Sequence, residues 1–358
     1  MRLYTKEGWL DTEHIEEVAD RNDISFIAII GKRQIGKTFN VLKLMIEKEK
    51  CFILLRGVMP ELEMLKQNVN SPFEELTGGK DQDEEGAIKF KSESEYTAGI
   101  LKTHYIEQDE DLKRADERIG MAAALSTIGR VRGLFGGKYT DVVFDEAIPE
   151  SHLLKVRHGD DAFLNMYTTI NGNRELEGKK ALRVWILANS NNLDSDILSA
   201  LNITDIVEKM TLRGEESRII KERGIMVILP DSKQIIEKRK KGALYKAIGG
   251  NSKFSKMAYE NEFAYNDYTD VASKPLQEYN AFISIQGLLT IYLHKSDKTL
   301  YVVKDSRRGC KYNYPATDYG KNKFIRDWSD IRAAFLKGRI VFQSMEVKNM
   351  LLKFMNIV

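Results

Sequence analysis

The stretch Ile24–Thr38, ISFIAIIGKRQIGKT, decides the fold. Its first seven residues form an apolar run rich in β-branched side chains, the pattern of a strand buried on both faces. Gly31 ends the run, and Gly31-Lys32-Arg33-Gln34-Ile35-Gly36-Lys37-Thr38 follows with the spacing GxxxxGK[ST]. Beyond it, Val41, Leu42, Leu44 and Met45 recur at helical spacing, predicting a helix from about Lys37 to Lys48. Strand, glycine loop and helix in that order are what a phosphate-binding loop needs. The glycines let backbone N–H groups wrap the phosphates, and the helix N-terminus adds partial positive charge. Lys37 would reach the β- and γ-phosphates, and the Thr38 hydroxyl would ligate Mg²⁺. The expected ATP contacts are therefore Gly31, Lys32, Arg33, Gln34, Ile35, Gly36, Lys37 and Thr38.

Working outward, Cys51–Leu55 (CFILL), Thr140–Phe144 (TDVVF), Leu182–Ala188 (LRVWILA) and Gly224–Pro230 (GIMVILP) read as further strands. Strands alternating with helical stretches predict an α/β fold with a parallel central sheet. Between Gly78 and Gly120 the periodicity fades into charge, and an insertion or a peripheral hairpin and helix is expected. The strand 140–144 runs into Asp145-Glu146. An apolar strand ending in two acids suits an ATPase that carries its own catalytic carboxylate: Asp145 for the Mg²⁺ shell, Glu146 to orient and deprotonate the attacking water. Asn189 ends the neighbouring strand and is the candidate γ-phosphate sensor.

The arginines need separate readings. Arg33 lies inside the loop, within reach of the γ-phosphate. Arg174, in NGNRE, is either an arginine finger facing a neighbouring subunit or an ordinary surface arginine. Arg56 ends the second strand and would contact nucleotide or link the site to DNA. Arg130, with Arg132 and Lys138, flanks the glycine-rich loop 133–137 and could track a phosphate backbone. The expected catalytic set is Glu146, Lys37, Arg33, Arg174 and Asn189.

Composition narrows the class. With 358 residues the prior is two domains, and 42% hydrophobic residues suffice for two cores. No apolar run approaches the ~20 residues of a membrane span, so no membrane partner is expected. Two cysteines cannot make a disulfide framework, and none sits at zinc-ligand spacing. A soluble intracellular protein is the expectation. Residues 231–358 carry 23 Lys and Arg against 13 Asp and Glu, whereas residues 1–230 carry 32 against 40. The basic second part suits either a polyanion partner or a solvated face. The composition shift divides the chain into 1–230, a basic linker or small subdomain 231–275, and 276–358. In the last part Ala281–Ser306 is expected as strand, turn, strand, with the turn at Ser296–Lys298. Helices are expected at Asp330–Lys337 and Ser344–Met355.

GKRQIGKT, VVFDEAIPE and LANSNN together with the C-terminal strands resemble the DNA-packaging ATPases of tailed phages. KRQIGKT is similar to the loop of large terminases. CFILLRGVMPEL and NEFAYND…AFISIQGLLTIYLHKSDKTLYVV are nearer the phi-29-like encapsidation proteins. The resemblance implies a P-loop ATPase domain of the additional-catalytic-glutamate type followed by a smaller RNase H-like, vestigial nuclease domain. It implies a motor driving viral double-stranded DNA into a preformed capsid through the portal vertex. A ring of five copies, a packaging RNA in the phi-29-like group, and action in the host cytoplasm while docked on the procapsid come with it. The nuclease part departs from the pattern: Ala281–Gly287 offers Ser284 and Gln286 where an active nuclease has an Asp. DNA cleavage is therefore not expected. Another P-loop nucleic-acid translocase, a terminase with an active nuclease and, more remotely, a nucleotide kinase are the alternatives.

Overall fold

The structure is a computed structural model that describes residues 1–31, 35–68, 71–108, 111–130, 138–149, 156–189, 195–241, 270–305, 307 and 309–355. The chain divides into two compact units, residues 1–192 with 209–264, and residues 193–208 with 265–358.

The first unit is built on a nine-stranded sheet in the order β3-β4-β5-β2-β6-β7-β1-β9-β8. Its strands are β1 (Phe26–Gly31), β2 (Phe52–Arg56), β3 (Ile88–Ser94), β4 (Thr97–Gln108), β5 (Asp111–Ala124), β6 (Asp141–Phe144), β7 (Arg183–Asn189), β8 (Ser217–Ile220) and β9 (Ile225–Ile228). The run β5-β2-β6-β7-β1-β9 is parallel throughout, and both ends are finished by antiparallel strands. A parallel sheet must be covered on both faces, which the near-continuous apolar strands anticipate. On one face Ile27 and Ile29 join Val41, Leu42 and Met45 of helix α2 (Lys37–Glu47) and Ile15 of α1 (Thr12–Arg21) in one core. On the other, Phe163 of α4 (Gly159–Asn171) stacks on Phe144 at 6.2 Å and meets Phe26 at 6.5 Å. Helix α3 (Met59–Lys66) starts directly after β2, with Pro60 in its first turn, where the missing N–H costs nothing.

Residues 78–120 meet the expectation of a peripheral hairpin but not of a helix: the described ones hold no helix, β3, β4 and β5 form an antiparallel meander, and β5 pairs in parallel with β2. Residues 105–107 of β4 and 113–114 with 116–118 of β5 are exposed, and their charge is that of a solvated arm.

The second unit holds a five-stranded sheet in the order β13-β10-β11-β12-β14, from β10 (Tyr279–Ile285), β11 (Leu289–His294), β12 (Leu300–Val303), β13 (Tyr312–Tyr314) and β14 (Ile340–Phe342). β10, β11 and β12 run antiparallel in succession, while β13 joins β10 and β14 joins β12 in parallel. The expected strand-turn-strand is thus three strands, because Gly287 at φ +76° makes an extra turn that only glycine enters without strain. Helices α8 (Asp318–Asp327), α9 (Ser329–Leu336) and α10 (Met345–Phe354) close one face around Phe324, Ile331 and Val347. Ser344 caps α10 by accepting from Val347 N–H. The short α5 (Asp196–Ala200) and the start of α6 (Thr204–Arg213) pack in this unit: Lys353 pairs with Asp196 at 2.8 Å, and Glu208 accepts from Met345 N–H. Within the expected linker, α7 (Lys233–Lys240) is helical, and 242–269 lie outside the described residues. No helix among the described residues is long and apolar enough to cross a membrane.

Candidate active site

The C-terminal end of β7, the two acids that follow β6 and the start of α2 line a cleft of about 790 Å³. That is ample for a nucleotide. Two glycines are demanded by geometry. A Cβ on Gly31 would stand 3.0 Å from the Pro230 ring, and Gly36 takes φ +82° with the Asn40 amide 2.6 Å from where its Cβ would be. Gly36 precedes α2 and has no side chain with which to cap the helix N-terminus. Lys32, Arg33 and Gln34 lie outside the described residues, and Ile35 is buried.

Lys37, only 8% exposed, donates from Nζ to the carbonyl of Gly31 at 3.0 Å and to Asn189 Oδ1 at 3.1 Å. The parallel register that sets Gly31 beside Asn189 makes this meeting possible. Thr38 donates from Oγ1 to Asp145 Oδ1 at 2.7 Å, joining helix α2 to the end of β6 across 107 residues of sequence. Arg56, from the end of β2, lies 3.1 Å from Asp145 and 3.8 Å from Glu146. Its Nε–H is buried without an acceptor among the described residues. Glu146 stands at φ +54°, a left-handed conformation that costs a non-glycine residue about 1–2 kcal/mol, and its side chain is 53% exposed at the cleft.

Of the sequence-predicted set, Lys37, Thr38, Gly36, Asp145, Glu146 and Asn189 line this one cleft, and Arg56 reaches it through the acids. Arg174 does not. It follows α4 at the opposite end of the sheet, donating from Nε to the Lys180 carbonyl at 2.9 Å and from Nη1 to the Tyr139 carbonyl at 3.1 Å. There it shares a second cleft, of about 530 Å³, with Lys138, Lys180 and Arg183. Arg130 donates to the Tyr96 hydroxyl at 2.8 Å, and Arg132 lies outside the described residues.

Two residues were missed from sequence. Glu61, in the first turn of α3, accepts from Gly57 N–H at 3.1 Å beside Arg56. Burial pushes its carboxyl above the usual carboxylate range; Arg56 opposes this, and Glu146 adds to it. Its signal was its place one turn after the strand that ends in Arg56. Trp9 lines the cleft from the N-terminal segment, 3.3 Å from the Cβ position of Gly36, and no motif marks it.

The donors suit Mg²⁺. A hydroxyl and a carboxylate oxygen, both hard, stand 2.7 Å apart at the start of α2, the pairing that P-loop proteins use for this ion.

No protein-family profile matches the sequence, nor does any curated protein. Among solved structures, the chain resembles the phi-28 gp11 DNA packaging motor with TM-score 0.62 and 16% identity, covering 98% of each chain. It also resembles a chain of the bacteriophage phi-29 viral genome packaging motor assembly with TM-score 0.61 and 16% identity, covering 99% of this chain and all of that one. At such identity the likeness is one of fold, and it extends over both units.

Proposed function

We propose that this chain is an ATP hydrolase that moves viral double-stranded DNA into a preformed capsid through the portal vertex. The observation that carries the proposal is the convergence of Lys37, Thr38, Asp145, Glu146 and Asn189 on one cleft. A fold shared along the whole chain with two packaging-motor proteins supplies the biological direction.

The chemistry follows from the residues. The N–H groups at the start of α2 and the Lys37 ammonium bind the β- and γ-phosphates and stabilise charge that builds on them in the transition state. Thr38 and Asp145 would hold Mg²⁺, which when bound neutralises the phosphate oxygens. Glu146 takes a proton from water as its oxygen attacks the γ-phosphorus. The bond from that phosphorus to the bridging oxygen breaks, and ADP and phosphate leave. Asn189, bonded to Lys37, senses whether the lysine is engaged by the γ-phosphate. Arg33 and the backbone of Lys32, Gln34 and Ile35 complete the loop around the phosphates. The position of β7 between β1 and β6 supports the additional-glutamate subtype, because it sets the acids one strand away from the loop.

Arg174 stands too far round its own sheet to serve its own nucleotide. Its role is that of a finger for the neighbouring copy in a ring, with five copies as the proposed number. The second unit is read as an RNase H-like relic without nuclease activity, supported by the β10–β11–β12 meander and by Ser284 and Gln286 where an acid would be needed. Its excess of 14 basic over 6 acidic residues from Tyr292 onward suits phosphate-backbone contact. A packaging RNA, and action in the host cytoplasm on the procapsid, belong to the same proposal. Steady-state ATP hydrolysis across a protein concentration series, with and without DNA of unrelated sequence, tests it. Turnover should rise with DNA and steepen with concentration; turnover flat in both would sink the motor reading.

A further inference from the structure

Resting on the nucleotide-site reading, we infer that Trp9 is the platform on which the base of the bound nucleotide stacks. Lys37, Thr38, Asp145 and Asn189 are occupied with phosphates and ion. Among the described residues, the ring-sized apolar faces left in the cleft are Trp9 and Phe39, 44% and 37% exposed. Trp9 is the better platform because the chain fixes it. The N-terminal segment folds on itself through Thr5 N–H to the Trp9 carbonyl at 2.8 Å and Asp11 N–H to the Leu3 carbonyl at 2.9 Å. One flank is tied to the rest of the unit by Ser232 Oγ donating to the Gly8 carbonyl at 2.7 Å. The other is tied to α2 by Thr12 Oγ1 donating to the Asn40 carbonyl at 3.0 Å. The backbone on either side of the indole is therefore tied down, with the ring beside Gly36 at the start of the helix whose N-terminus takes the phosphates. A fixed, half-exposed tryptophan keeps apolar surface in water, and a planar base covers it without an ordering cost. Stacking acts on any base, so the platform adds affinity for nucleotide without choosing between adenine and guanine.

Binding of ATP and of inorganic tripolyphosphate to the full chain, both with Mg²⁺, separates this from its alternatives. Trp9→Ala should lower ATP affinity about tenfold, within the range of base–aromatic stacking, and leave tripolyphosphate unchanged. Trp9→Phe should retain most of the ATP affinity. Wild-type tryptophan fluorescence should respond to ATP and not to tripolyphosphate, and Trp9→Phe should lose that response. Equal loss of both ligands in Trp9→Ala would reduce Trp9 to a prop for the loop, and undiminished ATP affinity would overturn the inference outright. Lys37→Ala reports on the underlying reading by itself: it must weaken both ligands, and if it weakens neither, the phosphate site fails whatever Trp9 does.

Discussion

Replacing Arg56 by methionine keeps its bulk and removes the cation from Asp145 and Glu146. The Arg56–Asp145 contact is 3.1 Å between side chains 15% and 8% exposed, so solvent screens it little. At an effective dielectric near 20 the gross attraction is about 5 kcal/mol. Part of that only offsets the desolvation of the guanidinium, and truncating one partner of a buried pair costs roughly 3–5 kcal/mol in measured cases. Asp145 keeps the Thr38 hydroxyl at 2.7 Å, which argues for the lower end, about 3 kcal/mol. Glu146, half exposed and at 3.8 Å, adds little. For a unit of this size that loss lowers the thermal midpoint of the nucleotide-free protein by roughly 6–12 °C. Mg²⁺ with ADP puts a cation back beside Asp145, so the rise in midpoint on adding it should be larger in the variant than in wild type. Differential scanning fluorimetry of both proteins, with and without Mg²⁺ and ADP, measures both shifts. An unchanged midpoint without ligand, or an equal rise in the two proteins, would refute the assignment of Arg56 as the counter-ion of these acids.

Glu146→Gln should leave ATP binding within about twofold and cut phosphate release by roughly 10²-fold or more, as loss of a general base does; nucleotide titration beside a phosphate-release assay separates the two. Arg174→Ala should leave ATP affinity unchanged and reduce DNA-stimulated turnover by roughly 10³-fold at protein concentrations where wild type assembles. Undiminished turnover there would return Arg174 to a purely structural role on the Tyr139 and Lys180 carbonyls. Burial works to raise the Asp20 carboxyl, but hydrogen bonds from Arg183 and Lys180 outweigh it and hold the pKa below the usual value. A lowered folded pKa gives stability that is present above about pH 4 and is lost as pH falls through the folded value. Thermal midpoints of wild type and Asp20→Asn should therefore differ by a constant amount above about pH 4 and converge below it; a gap that persists into acid would contradict the linkage.

The part of the fold that was legible from sequence is the part where burial is two-sided and local. β1 and α2 bury contiguous residues on either side of a glycine loop, so the periodicity changes within a few positions and the motif sits at the change. Asp145, Glu146 and Asn189 were legible because each terminates a strand of that kind. Elsewhere the signal weakens for stated physical reasons. β5 alternates Lys113, Arg114, Asp116, Glu117 and Arg118 along an arm that reaches into solvent, so the period-two pattern of a half-buried strand is missing. The turn at Gly287 is hard to see in the sequence because β10 and β11 bring apolar residues up to it from both sides. Trp9 carries no motif at all; its place depends on pairing across more than 220 residues, between Gly8 and Ser232. Arg174 was legible as a polar-loop arginine, but which end of the sheet it occupies follows only from the direction of α4.

That placement has a consequence for mixed assemblies. The candidate cleft and Arg174 lie at opposite ends of the parallel strands of one sheet, so a contact joining them between copies is heterologous, pairing unlike surfaces, and saturates only when the chain of copies closes. On the proposed roles, every working site is then a joint product of two chains, one giving Glu146 and the other Arg174. Two variants each impaired alone, Glu146→Gln and Arg174→Ala, complement when mixed: wherever a Glu146→Gln copy lends its intact arginine to the cleft of an Arg174→Ala copy, that junction is whole. The opposite junction carries both defects, so the recovered turnover peaks at an intermediate mixing ratio and vanishes at either extreme.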